Sequence, residues 1–281
     1  MYGPSPSCSG GLSGLWLYYA LEYNPFDKEQ VRESDAFQSN DHKQMSSRLD
    51  YVTKAGGIGL FTASPGKGKT FCLRCFKKSL NPNLYHMDYI PLSTITVSEF
   101  YKELCTRPGV SDKGGKPGRF RAIQEQIYYL YHEKRQRLIL VIDEAQFLST
   151  SILNDIKMLM NQKYDSLNCF TLILCGESYL NHVLSKKIHE ALRQRITVHY
   201  DFRGLSDEEA VQYIVHKLTT AGSSKAIIED AALMAVASQS HGNPRVIDAI
   251  MTDALNIGVQ QDKKCIDTDV IMAAVSNQNL G

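Results

Sequence analysis

Residues 63 to 70 read Ala63-Ser64-Pro65-Gly66-Lys67-Gly68-Lys69-Thr70, a glycine-rich turn that ends in Gly-Lys-Thr. An apolar stretch, Gly57-Ile58-Gly59-Leu60-Phe61-Thr62, precedes it, and a helical pattern from Phe71 to Leu80 follows. Strand, glycine-rich turn and helix, in that order, are the context that makes such a turn a phosphate-binding loop. Its glycines let backbone N–H groups curl around phosphates, and the helix N-terminus adds about half a positive charge. Lys69 is expected to reach the β and γ phosphates of a nucleotide and the Thr70 hydroxyl to hold Mg2+. The expected nucleotide contacts run from Ala63 to Phe71. Ala63 stands where the motif usually has its first glycine, and its methyl group disfavours positive φ.

A second motif is Leu138-Ile139-Leu140-Val141-Ile142-Asp143-Glu144. An unbroken run of branched apolar residues suits a strand buried on both faces of a parallel sheet. Packing gives no reason for two carboxylates at its end, because unpaired buried charge is costly. In phosphate-loop ATPases the first such carboxylate organises the metal, which makes Asp143 the metal-organising residue. Glu144 is then the candidate base that polarises the attacking water.

The chain has 281 residues, enough for one large domain or two modest ones, each with its own core. Its net charge is +1, so any contact with nucleic acid must come from a local patch. No apolar run approaches the ~18 residues of a membrane helix, and Leu12 to Leu21 lacks the flanks of a signal peptide. Seven cysteines without a framework fit a reducing compartment, and the expected location is the cytoplasm. Cys72 and Cys75 have no second pair at zinc spacing and fall on the helix after Thr70, where helix packing explains them. His86, near Asp88, is likewise read as structural.

Residues 1 to 14 are rich in Gly, Ser and Pro and are expected to be disordered. Tyr18-Tyr19-Ala20-Leu21-Glu22-Tyr23-Asn24-Pro25-Phe26 follows. Met45, Leu49 and Val52 give Asp41 to Lys54 a helical spacing, and Tyr85 to Ile90 reads as a strand. Thr96-Val97-Ser98-Glu99 is a capping box. The glycine- and proline-rich stretch Arg107 to Arg121 reads as a basic loop carrying Lys113, Lys116, Arg119 and Arg121. With Phe170 to Cys175 and Thr197 to Asp201, the strands number five and alternate with helices. This implies an α/β domain with a mostly parallel sheet and a ligand site at the carboxyl ends of its strands. From Leu205 only helical periodicity remains, opened by a second capping box, Ser206-Asp207-Glu208-Glu209. The expected organisation is an α/β nucleotide-binding domain over 15–204 and a small all-α lid over 205–281.

With these residues in place, the chain from about Tyr18 onward resembles the AAA+ ATPases. Within them it is similar to the ExeA, MuB and TniB/TnsC group of secretion and transposition ATPases. The likeness is carried by Tyr18 to Phe26, by the two motifs above with Asp143-Glu144-Ala145-Gln146, by Leu192-Arg193-Gln194-Arg195-Ile196 and by Gly242-Asn243-Pro244-Arg245. It implies that Asn24, Pro25 and Phe26 lie near the adenine and that Arg245 is the lid's nucleotide sensor. Sensor 1 should follow the fourth strand, where Glu177 is the nearest polar candidate. Arg193 and Arg195 stand where the family places arginine fingers supplied to a neighbouring subunit. Two arginines two apart on a helix do not share a face, so one of them at most is expected to reach the shared site.

The resemblance implies ATP and Mg2+ as cofactors and a homo-oligomer, ring or filament. It also implies a DNA-transposition regulator that assembles on double-stranded DNA with ATP and communicates with a transposase. The basic residues between Arg107 and Arg121 support that reading, because sequence-independent DNA binding rests on phosphate neutralisation. The alternatives are an ExeA-like secretion ATPase with an envelope partner and a nucleotide-dependent binding switch with little hydrolysis. Secretion members carry a membrane segment and an envelope-binding region after the ATPase, and neither is expected here; an intact Glu144 argues against the switch.

Overall fold

A computed structural model describes residues 13–30, 32–91, 96–106, 110, 114–160, 169–223 and 227–278. Residues 1–12, on which the expectation of N-terminal disorder mostly rests, and Lys113 lie outside them. By contact the described residues divide into two units: those of Asp41–Pro65 with Lys69–Phe202, and those up to Asn40 with Gly66–Gly68 and from Arg203 onward.

The first unit is an α/β layer structure. Its strands are β1 (Gly57–Thr62), β2 (Tyr85–Pro91), β3 (Arg137–Asp143), β4 (Phe170–Gly176) and β5 (Ile196–Asp201), in the spatial order β2-β3-β4-β1-β5. Every pairing is parallel, as expected of strands joined by helical crossovers. β1 and β4 are buried at every residue. The edge strand β5 alternates between half-buried and exposed positions, which is why it carries Thr197, His199 and Asp201 between apolar residues.

Alternate side chains leave the sheet on opposite faces. Ile58, Leu60, Leu138, Leu140, Ile142, Leu172 and Leu174 form one core with helices over Val97–Thr106, Lys116–His132 and Thr150–Leu159. Phe61, Ile139, Val141, Ile173 and Cys175 form the other, against Met45 and Leu49 of the helix Asn40–Ala55 and Cys72, Leu73 and Phe76 of the helix Lys69–Ser79. Cys72 is thus a core residue, and among the described residues neither it nor Cys75 forms a disulfide. Numbered along the chain, the helices of this unit are α2 (Asn40–Ala55), α3 (Lys69–Ser79), α4 (Val97–Thr106), α5 (Lys116–His132), α6 (Thr150–Leu159), α7 (Tyr179–Ser185) and α8 (Glu190–Arg193), with α1 (Ser13–Tyr18) before them in the other unit.

Strand order places the site. β4 separates β1 from β3, so the loop after β1 and the carboxylates at the end of β3 flank the end of β4 at the carboxyl edge of the sheet. Ligands of open parallel sheets bind at such crossovers.

The basic stretch departs from the loop expected of it. Gly115, with extended backbone, caps α5, and Lys116 and Pro117 open it, so Lys116, Arg119 and Arg121 sit on a helix. Proline in the first turn is favoured because its missing N–H has no intrahelical partner there anyway.

The second unit is mainly helical among the described residues, with α9 (Asp207–Thr220), α10 (Asp230–Ser240), α11 (Pro244–Gln260) and α12 (Thr268–Gln278) and one isolated bridge between Ile228 and Ile266. The capping box at its start is complete: Ser206 Oγ accepts from the Glu209 N–H at 3.1 Å, and Glu209 Oε2 accepts from the Ser206 N–H at 3.1 Å. Tyr19, Leu21 and Phe26 are buried with Ile214, Val236, Ile247 and Met251 of these helices. Residues 13–40 therefore group with the helical unit, whereas the sequence division set them with the sheet. Three large apolar side chains close together needed a core, and α9 and α11 supply it. Among the described residues no helix is long and apolar enough to cross a membrane.

Candidate active site

Within the α/β unit the two motifs meet. Thr70, in the first turn of α3, donates its hydroxyl to Oδ2 of Asp143 across 3.0 Å. Asp143 ends β3 and is 3% exposed. Its Oδ1 accepts from the backbone N–H of Glu144 at 3.0 Å. Its Oδ2 takes a second hydrogen bond from the Tyr89 hydroxyl on β2 at 2.6 Å. Burial first, and then this bond to the carboxylate, raise the Tyr89 pKa above that of an ordinary phenol.

Lys69 is 8% exposed and donates its ammonium to the carbonyl of Ala63, in its own loop, at 3.0 Å. Burial lowers its pKa, and Asp143 first, then Cys175, Glu144 and Glu177, act in the opposite direction. The hydrogen bond to the Ala63 carbonyl joins the ammonium to a neutral acceptor and not to an anionic one. A phosphate at the mouth of the loop would supply one.

Glu144 is exposed and has φ 56 and ψ 36, a left-handed conformation rare outside glycine. This residue lies between the last residue of β3 and the 3-10 turn Ala145–Phe147. Glu144 Oε2 accepts from Gln146 Nε2 at 2.7 Å. Glu177, named from sequence as sensor 1, donates its backbone N–H to Gln146 Oε1 at 3.1 Å. Nearby, Asn181 on α7 donates to Thr62 Oγ1 at 3.0 Å and Asp201 Oδ1 at 2.9 Å, and the Thr62 hydroxyl also bonds Asp201.

Arg193 ends α8 and donates to the carbonyls of Leu184 and Ser185 at 3.1 and 2.8 Å, the last turn of α7. Arg195 lies beyond α8, half-buried, and its carbonyl accepts from Ile58 of β1 at 3.2 Å. Lys116 forms an ion pair with Asp155 of α6 at 2.6 Å, and Arg119 bonds the Ser98 carbonyl and hydroxyl at 3.3 and 3.1 Å. Arg121 is exposed.

The helical unit includes Gly66–Gly68 and the Gly242-Asn243-Pro244-Arg245 run. Gly66 and Gly68 have φ values of 85 and 93, positions that disfavour any residue with a Cβ. A Cβ at Gly66 would come within 2.9 Å of the Arg245 Cβ, and one at Gly68 would point into open space. Lys67 Nζ donates to the Arg203 carbonyl at 2.7 Å. Asn243 caps α11, its Oδ1 accepting from the Arg245 N–H at 3.0 Å. Phe26 is 3% exposed, with Lys217 Nζ 5.3 Å over its ring, and Asn24 Nδ2 donates to Thr252 of α11 at 3.3 Å.

Tyr89 is not marked by the sequence, and Gln146 enters there only as the end of the run Asp143-Glu144-Ala145-Gln146, with no role of its own. Tyr89 reaches Asp143 only because β2 pairs with β3 in a register that sets Pro91 opposite Asp143. Gln146 closes the Asp-Glu-Ala-Gln run, and its spacing from Glu144 is the one signal that could have marked it.

Residues 52–184 match the AAA domain family. Over 243 residues the chain is 28% identical to General secretion pathway protein A of Aeromonas hydrophila, covering 85% of this chain and 44% of that protein. The chain therefore spans less than half the length of that relative. Among solved structures it resembles Drosophila ORC bound to DNA, with a TM-score of 0.67, 14% identity, and 99% of this chain and 69% of that chain covered. It also resembles the RuvB Holliday junction branch migration motor of Thermotoga maritima, with a TM-score of 0.54, 17% identity and coverages of 87% and 71%. The fold is that of an AAA P-loop NTPase.

Proposed function

We propose that the chain binds ATP with Mg2+ and hydrolyses it as an oligomer, in which each site takes an arginine from the next subunit. The observation that carries this is the bond between Thr70 and Asp143, which brings a hydroxyl and a carboxylate to one point beside the phosphate loop. Hard oxygen donors of this kind suit Mg2+. Thr70 and Asp143 would hold the ion, which would supply positive charge against the charge developing on the phosphates. Lys69 would exchange the Ala63 carbonyl for phosphate oxygens, and backbone N–H groups from Ala63 to Phe71 would cradle them. Glu144 would orient a water and accept its proton. Arg245 would read the phosphates from the lid, Glu177 would stand at sensor 1, and Asn24, Pro25 and Phe26 would flank the base. Arg193 or Arg195 would serve the neighbouring subunit.

For the output, the proposal is assembly on double-stranded DNA in the cytoplasm and communication with a transposase. Its support is the set Lys113, Lys116, Arg119 and Arg121 and the fold shared with ORC bound to DNA and with a Holliday junction motor. The ion pair of Lys116 with Asp155 leaves less charge on α5 than the sequence promised. A secretion role with an envelope partner is the second reading, and the match to General secretion pathway protein A favours it.

A duplex-DNA gel shift with and without ATP separates the two outputs. The transposition reading expects an ATP-dependent shift that weakens steeply with salt. Alanine at Lys113, Lys116, Arg119 and Arg121 should lower the slope of log affinity against log salt by up to about 0.9 for each phosphate no longer neutralised. No shift at low salt with saturating ATP would remove DNA from the account and leave the ATPase reading standing.

A further inference from the structure

The side chain of Gln146 is bonded at both ends: to Oε2 of Glu144 through Nε2 at 2.7 Å, and to the N–H of Glu177 through Oε1 at 3.1 Å. Chemistry fixes which end is which. A carboxylate only accepts and a backbone N–H only donates, so only the amide's observed orientation satisfies both. The second anchor lies just beyond β4, between the strand that feeds the phosphate loop and the strand that ends in Asp143.

The local backbone is shaped for this link. The left-handed Glu144 is followed by a single 3-10 turn, Ala145–Phe147, which carries Gln146 over the end of β4. A Cβ at residue 176 would meet Gln146 Oε1 at 2.5 Å, so Gly176 leaves the amide its place. Glu144 itself is exposed, and without a tether its carboxylate would be free to take many orientations.

We propose that Gln146 is a positioning residue for hydrolysis, which fastens the Glu144 carboxylate to the end of β4 in the orientation from which it acts on water. The inference rests on the reading of Glu144 as the base. Gln146 acts through Glu144 and needs no contact with nucleotide, so its loss should leave nucleotide binding alone.

Two variants test it. Gln146→Met keeps the length and removes both bonds; Gln146→Glu keeps an acceptor for the Glu177 N–H but cannot donate to Glu144 and sets two like charges together. Each is compared with the parent for affinity of a fluorescent ADP analogue, KM, kcat and Tm. We expect affinity, KM and Tm to stay within error and kcat to fall roughly ten- to a hundredfold, with Gln146→Glu at least as impaired. In a Glu144→Gln background, Gln146→Met should add no further loss, because coupled residues are not additive. A parental or raised kcat in Gln146→Met would overturn the inference, as would equal losses in affinity and kcat with a lowered Tm, which mark a merely structural role. Glu144→Gln alone is the control: if it hydrolyses at the parental rate the base reading fails, whereas an inactive Glu144→Gln beside an unaffected Gln146→Met fails the tether only.

Discussion

The Tyr89 hydroxyl donates to Asp143 Oδ2 at 2.6 Å, onto the same oxygen that accepts from Thr70 at 3.0 Å. A tyrosine on β2 thus fixes the orientation of the carboxylate proposed to organise the metal. Groups that hold metal-site carboxylates commonly contribute ten- to a hundredfold in metal affinity. Tyr89→Phe should therefore raise the Mg2+ concentration needed for half-maximal tight nucleotide binding by about tenfold. Nucleotide binding in EDTA should be unchanged. A Mg2+ titration of fluorescent-nucleotide binding reads both, and an unshifted midpoint would show that Thr70 and the Glu144 N–H suffice to hold Asp143.

Arg193 caps α7 through two carbonyls, a role that lysines and arginines favour at helix C-termini. Arg193→Ala should lower Tm by about 2–4 °C for a loss near 1 kcal/mol. The shared-site proposal adds a kinetic test. An Arg193→Ala, Arg195→Ala variant and a Glu144→Gln variant, each inactive alone, should regain turnover when mixed, since one supplies Glu144 and the other the arginines. An arginine given in trans contributes roughly 10³ to 10⁵ in rate, so recovery should stand far above background. No recovery despite demonstrated subunit exchange would leave these arginines a structural role.

His42 on α2 and His189 before α8 are 8% and 2% exposed, and burial lowers both imidazole pKa values below the ordinary 6.5. Below pH 6.5 the unfolded chain takes up protons that the folded chain resists, so stability falls as pH drops toward the depressed values and levels off beneath them. Tm should decline from about pH 7.5 to about pH 5.5, and a His42→Gln, His189→Gln variant should decline less steeply. Parallel slopes would assign the acid sensitivity elsewhere.

What could be read from the chain was what local chemistry fixes. Leu138 to Ile142 had to be a doubly buried strand, and Thr96 with Glu99 did cap a helix: Thr96 Oγ1 accepts from the Glu99 N–H at 3.3 Å, and Glu99 Oε2 accepts from the Thr96 N–H at 2.7 Å. The start of α5 was within reach too, since Gly115-Lys116-Pro117 is a helix opening that the surrounding glycines disguised. Other features depend on pairings far apart in sequence. Tyr89 finds Asp143 through strand order, Glu177 finds Gln146 across 31 residues, and Tyr19, Leu21 and Phe26 join a core built mostly after residue 205. No periodicity within a segment records which neighbour it will meet.

The central claim is that Lys69, Thr70, Asp143 and Glu144 make one Mg2+-dependent site in which the lysine binds and the glutamate reacts. ATP binding and phosphate release, measured side by side for the parent, Lys69→Ala and Glu144→Gln, separate those roles. Lys69→Ala should lose stable ATP binding, because the ammonium neutralises phosphate charge before any reaction. Glu144→Gln should bind ATP like the parent and release phosphate roughly 10²- to 10⁴-fold more slowly, the range for a positioned base. Phosphate release at the parental rate from Glu144→Gln, with ATP affinity intact, would contradict the account.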